Sequence, residues 1–135
     1  MNELFINKLI KLNQKALKNN DVPVSCLISK NNKIISYAYN KKIKNKDPFA
    51  HAEILAIRKA AKKLNTYNLS DCEIYVSLFP CKMCQEVINE ARIKKVHYIL
   101  NKNKDIVNTT KYIKIKTEQE IKFSKELSNF FYDKR

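Results

Sequence analysis

Glycine is absent from the 135 residues, and arginine occurs only at Arg58, Arg92 and Arg135. Without glycine there is no Gly/Ser linker, and no internal repeat divides the chain, so residues 1–135 are expected to form one domain. No stretch approaches the roughly 18–20 consecutive apolar residues of a membrane span, and a soluble protein with no membrane partner is expected. Acids are scarce as well: 13 Asp and Glu against 27 Lys and Arg leave a net charge of +14. A field of that sign attracts polyanions, nucleic acid first. The excess has a second reading. Lys, Asn and Ile are abundant, and codon bias in an AT-rich genome would add lysines wherever a surface tolerates them. Only clustering on one face separates the two.

The first twenty residues are Lys-rich and amphipathic, as targeting peptides are, but they lack arginine and an apolar signal core. Leu4, Ile6, Leu9, Ile10, Leu12, Ala16 and Leu17 instead make a helix face that can be buried. The four cysteines would form two disulfides in a secreted protein. With no signal peptide and with a Cys-x-x-Cys pair, they point to a metal site in a reducing, cytoplasmic compartment.

Along the chain, a helix over Met1–Asn20 precedes strands over Val22–Ser29 and Lys33–Asn40, joined by a turn at Asn31–Asn32. "KKIKNKDPF" reads as a basic loop, since Pro48 disfavours a helix through Asp47. Ile54, Ile57, Ala61 and Leu64 repeat at helical spacing over His51–Leu64. A strand follows over Cys72–Leu78, then a helix with Pro80 in its first turn. Strands over Lys94–Leu100 and Tyr112–Lys116 come next, and a last helix begins at a capping-box pattern, Thr117–Glu120. Strand–helix–strand units of this kind predict a mixed sheet of about five strands between two helical layers.

The chemistry lies in "HAE" (His51–Glu53) taken with "PCKMC" (Pro80–Cys84). Zinc takes nitrogen and sulfur ligands in tetrahedral array, and a catalytic site leaves one of four positions to water. His51, Cys81 and Cys84 supply three, and a helix N-terminus favours the thiolates. Cys26, Cys72 and His97 have no chelate spacing to the trio and read as structural. Glu53, at a helix start, could simply complement the helix dipole. Beside a three-ligand metal site it becomes the group that moves protons. His-x-Glu alone or Cys-x-x-Cys alone is weak; the two together, each at a helix start, are a signature of zinc-dependent nucleobase deaminases.

The chain resembles the bacterial tRNA-specific adenosine deaminases of the cytidine deaminase-like superfamily. The resemblance rests on "DVPVSCLISKNNKIISYAYN", "DPFAHAEILAIRKAA", "NLSDCEIYVSLFPCKMCQEVINEARIKKVHY" and the basic tail "ELSNFFYDKR". It implies a three-layer α/β/α cytidine deaminase-like fold and one zinc held by His51, Cys81 and Cys84. It also implies Glu53 as proton shuttle and the Ala52 N–H as donor to an oxygen on the metal. Asn40 would contact the flipped base or its sugar, with Val22, Pro23, Phe79 and Lys102 as further candidate substrate contacts. The implied reaction converts adenosine to inosine at the wobble position of a transfer RNA anticodon, carried out by a homodimer on the anticodon stem-loop. The sequence departs from that family at four places. Phe79 stands where Glu is usual, Ser25 where Gly is usual, Asn101 and Lys102 where an Arg/Asp pair is usual, and the segment 101–110 is short. Two other readings stay open: a deaminase of a free base or nucleoside such as cytosine, cytidine or guanine, and a non-enzymatic RNA-binding subunit with structural zinc.

Overall fold

Phe5, Leu9, Leu12 and Ala16 recur at i, i+4, i+7 and i+11, the stripe a helix buries when one face meets a core. They lie on α1 (Glu3–Lys18) in the computed structural model, which describes residues 3–101 and 110–133. All four are buried, whereas Leu4, expected on that face, is 66% exposed and Phe5 takes its place. The strand expected from Val22 starts later, as β1 (Ser25–Lys30). Pro23 has no N–H to give a ladder, and the Val24 N–H turns back onto the Val22 carbonyl at 2.8 Å.

β1 pairs antiparallel with β2 (Lys33–Tyr39), and a bulge between Ile28 and Ser29 shifts the register. Asn31 and Asn32 turn the hairpin with φ of 54° and 62°, the left-handed pair that a two-residue turn of this twist requires. In a chain without glycine, asparagine does this work. Positive φ among the described residues occurs at Asn20, Asn31, Asn32, Lys46, Asn65 and Arg92, and Asn is the non-glycine residue that tolerates it most readily.

The basic loop contains one helical turn, α2 (Lys42–Asn45), that local sequence did not suggest. Its cause is long-range: the buried Asp21 carboxylate accepts the Ile43 N–H at 3.0 Å. α3 (Ala52–Leu64) follows, with Ala52, Ala56 and Ala60 buried at successive turns, small enough to bring the helix close to β1 and β2. β3 (Glu73–Leu78) leads into α4 (Lys82–Glu90). Pro80 lies outside that helix, one residue before its N-cap Cys81, and its carbonyl accepts the Gln85 side-chain amide at 3.1 Å. β4 (Lys95–Leu100), β5 (Lys111–Lys114) and α5 (Glu120–Asp133) complete the chain. The capping box does not close: Thr117 Oγ1 accepts the Gln119 N–H, while Glu120 turns to Lys114 at 2.9 Å.

The strand order is β2-β1-β3-β4-β5, antiparallel across β2, β1 and β3 and parallel across β3, β4 and β5. Side chains alternate between the faces. Cys26, Ile28, Ile74 and Val76 pack with α3 and α4, while Leu27 and Ile99 pack with Phe5, Leu9 and Phe123 of α1 and α5. This is the expected three-layer α/β/α arrangement around a five-stranded mixed sheet. No described helix is long and apolar enough to cross a membrane. Phe123 is 1% exposed and Ile121 66% exposed. Phe123→Ala is therefore expected to cost about 3–5 kcal/mol, and Ile121→Ala at most about 0.5. Urea titration should show a lower midpoint at constant m-value for the first alone.

Candidate active site

Two connections deliver helix N-termini to the same end of the sheet. β2 ends at Tyr39 opposite Ser25, and β3 ends at Leu78, so the loops into α3 and α4 leave from neighbouring positions. His51 is the N-cap of α3 and Cys81 that of α4, with Cys84 in the first turn. His51 Nδ1 lies 3.9 Å from Cys81 Sγ and 3.5 Å from Cys84 Sγ. One ligand atom from each of the three falls within 4.8 Å of the others. Tetrahedral zinc, with Zn–S of about 2.3 Å and Zn–N of about 2.0–2.1 Å, spaces its ligand atoms roughly 3.5–3.8 Å apart. The residues present fit one zinc per chain, and no fourth His, Cys or acid joins them among the described residues.

The sulfurs are electrostatically unequal. Hydrogen bonds from Cys84 and His51 bring the Cys81 thiol down to about 4, while the Cys81 thiolate and burial push the Cys84 thiol up. The pair thus shares one proton, which a divalent cation between the sulfurs would displace. The hydrogen bond to Cys81 raises the His51 imidazole.

Glu53 is 3% exposed. Burial raises its carboxyl to about 7, against the opposing pull of its own backbone N–H, and its Oε1 has no hydrogen-bond partner. An unpaired buried carboxylate oxygen costs free energy unless a ligand completes it. Glu53 and His51 line a cavity of about 190 Å³ with Cys81, Asn40, Val22 and Phe79, and with Val24, Lys42 and Leu78, which carry no signal of their own in the sequence. Pro23 is not among the lining residues. Lys102 lies outside the described residues.

Ala52 and Asn40 were assigned separate roles, yet they meet: the Ala52 N–H donates to Asn40 Oδ1 at 2.8 Å. That amide is engaged, and Asn40 fixes the first turn of α3 while keeping its Nδ2 to offer. Phe79 packs edge-on against Tyr98 at 4.9 Å and tilted against Tyr112 at 4.7 Å. Tyr112, another residue the sequence did not mark, has a buried hydroxyl with no partner, and burial raises it. Cys26 and Cys72 are free and buried. His97, read as structural, meets Glu73 at 2.7 Å and stacks on Tyr75 at 4.2 Å.

Known proteins share this arrangement to different extents. The family described as cytidine and deoxycytidylate deaminase zinc-binding region matches residues 1–100. The tRNA-specific adenosine deaminase of Aquifex aeolicus (strain VF5) is 44% identical over 94 residues, 70% of this chain and 62% of the relative. The guanine deaminase of Bacillus subtilis (strain 168) is 46% identical over 76 residues, 56% of this chain and 49% of that one. The chain thus spans less than two thirds of either relative's length. A solved structure from a study of A-to-I editing by tRNA:A34 deaminases at the wobble position of transfer RNA superposes with a TM-score of 0.84. Its identity is 23%, and the match covers 93% of this chain and 100% of that one.

Cys81 is exposed, and Cys26, Cys72 and Cys84 are buried. In metal-free protein at pH 6, iodoacetamide should alkylate Cys81 first, because its thiolate persists down to about pH 4. Peptide mass spectrometry should show that zinc protects it. Equal labelling of all four cysteines would contradict this charge distribution.

Proposed function

Because the chain belongs to the cytidine and deoxycytidylate deaminase family of zinc-binding proteins, we propose that it converts adenosine to inosine at the wobble position of a transfer RNA anticodon. It does so as one zinc-dependent deaminase domain, in the cytoplasm and as a homodimer. The observation that carries the chemistry is the unpaired Glu53 oxygen, buried in a cavity whose wall is His51, Cys81 and the carboxylate itself. A structural zinc site is closed by four protein ligands and has no use for such a group.

His51, Cys81 and Cys84 would hold the zinc, which when bound would supply a water acidified to near-neutral pKa. Glu53 would move the protons, to N1 of the base and to the departing ammonia, in a reaction that takes adenosine and water to inosine and ammonia. Asn40 holds the α3 N-terminus, and with it both His51 and Glu53, at fixed height. Its free Nδ2 donates to an acceptor on the base or sugar. The apolar wall of Val22, Val24, Leu78 and Phe79 excludes bulk water.

The choice of transfer RNA is supported by the relatives that carry that activity in their name and by the +14 charge, which suits a phosphate backbone. The guanine deaminase match and Phe79 favour a second reading, deamination of a free base. The two differ in salt dependence: the apparent affinity for RNA falls steeply with ionic strength, with log K against log[salt] sloping by about −0.7 per phosphate contact, and that for a neutral base hardly changes.

Purified zinc protein should form inosine in an anticodon stem-loop and leave free cytidine and guanine intact. Glu53→Ala should lower turnover by at least about 10²–10⁴-fold while metal analysis still finds one zinc per chain. Loss of zinc as well would make Glu53 a ligand or a fold element, and turnover of guanine alone would move the chain to the second reading.

A further inference from the structure

The connection from β2 to α3 carries four lysines, Lys41, Lys42, Lys44 and Lys46, and one acid, Asp47. Two apolar side chains stand out from it: Ile43 is 57% exposed and Phe49 58%. None of them has a part in the chemistry above, although Lys42 lines the cavity itself.

The segment is held in place at every turn. Asp21, 2% exposed, accepts the Ile43 N–H through Oδ2 and the Val22 N–H through Oδ1, both at 3.0 Å. The Lys41 N–H donates to the Ala50 carbonyl at 3.0 Å, and Asp47 Oδ1 accepts the Phe49 N–H at 2.9 Å. The His51 N–H donates to the Phe49 carbonyl at 2.8 Å. Phe49 is therefore tied to the residue before the ligand helix, its Cα no more than about 7 Å from that of His51. An exposed aromatic residue on a held backbone, two residues from the cavity-lining His51 and on a segment with four lysines, has the two elements that single-strand binding requires: a face for a base to stack on and charge for the backbone.

We propose that residues 41–50 form a docking platform for single-stranded RNA. Phe49 stacks the base next to the one that enters the cavity, and Lys42, Lys44 and Lys46 hold the neighbouring phosphates. This rests on the reading that the substrate is RNA. A second copy of this chain is the other candidate for an exposed aromatic. In a twofold contact centred on this loop, however, the four lysines would face the same four on the partner. The platform also accounts for the lysine excess at this place: here the charge is clustered, which codon bias alone does not produce.

The test uses zinc-loaded full-length protein and a fluorescent anticodon stem-loop, with affinity read by anisotropy and inosine formation read alongside. Phe49→Ala should weaken binding about 5- to 150-fold, the range of one base stacked on an aromatic side chain. Phe49→Tyr should restore most of it and Phe49→Leu should not, all with unchanged zinc content and thermal midpoint. Replacing Lys42, Lys44 and Lys46 by Gln should make the slope of log K on log[salt] shallower by about 2. The platform is overturned if Phe49→Ala and Phe49→Tyr bind RNA like the wild type. It is equally overturned if Phe49→Ala only converts a dimer to a monomer in sedimentation. Phe49-dependent binding by a protein that makes no inosine leaves the platform standing and removes the wobble reading. Inosine formation indifferent to Phe49 does the reverse.

Discussion

A helix leaves its first N–H groups without partners inside the helix, and here two helices point those groups at one spot. α3 and α4 start at the same end of the sheet because β1 and β3 run antiparallel and adjacent, which brings the end of β2 and the end of β3 side by side. Hydrogen bonds from Cys84 and His51 let the Cys81 sulfur ionise there, and the adjacent helix starts bring ligand atoms of His51, Cys81 and Cys84 within 4.8 Å of one another. Each helix start is also fastened: α3 from outside by Asn40, which accepts the Ala52 N–H, and α4 by its own Gln85, whose side-chain amide donates to the Pro80 carbonyl. Metal ligands on helix ends so braced move with the sheet rather than with their loops.

Ser25 begins β1 fully buried. Its hydroxyl donates to the Leu9 carbonyl at 3.0 Å, and its N–H donates to Ser77 Oγ at 3.0 Å. Ser77 in turn faces Asn13 Oδ1 at 3.5 Å. Ser25 thus anchors a buried polar network linking α1, β1 and β3. The network is incomplete: Asn13 Nδ2 has no hydrogen-bond partner. Buried polar groups fully satisfied specify a packing, and partly satisfied ones cost stability, so this link works against the chain's stability while tying α1 to the strand that precedes the site.

Periodicity made the helices and strands readable, because burial on one face is a local pattern; the ends shifted where distant groups set them. β1 waits until Ser25 because Pro23 cannot pair, and α4 starts after Cys81 because Pro80 is held by Gln85. α2 could not be read from "KKIKNKDPF", since its anchor Asp21 lies 22 residues away. The metal trio was legible because chelation demands particular residue types at particular spacings. The bond between Asn40 and Ala52 was not, because an amide and a backbone N–H carry no such signature. The same holds for Val24, Lys42, Leu78 and Tyr112, ordinary residues that only the fold gathers around Glu53. Phe79 was visible as a departure, but its packing on Tyr98 and Tyr112 shows that the aromatic ring joins the core behind the cavity.

That contrast bears on how substrate is chosen. A cavity of about 190 Å³ is below the roughly 300–1,000 Å³ of sites for drug-sized ligands, which on the proposed reading suits a base rather than a whole nucleotide. The ring-sized part of the reaction needs only the trio, Glu53 and an apolar wall, and these would serve a free base or a flipped one. What separates a polymer from a free base lies outside the cavity, where a strand must cross the rim once its target base has turned inward. Lys42, from the loop after β2, lines the cavity with Val22 and Val24, which precede β1, and the same loop carries Lys41, Lys44, Lys46 and the exposed Phe49, which no catalytic step requires. Chemistry is therefore decided where two helices meet, and substrate class at the edge of that meeting, by residues whose only constraint is what passes over them.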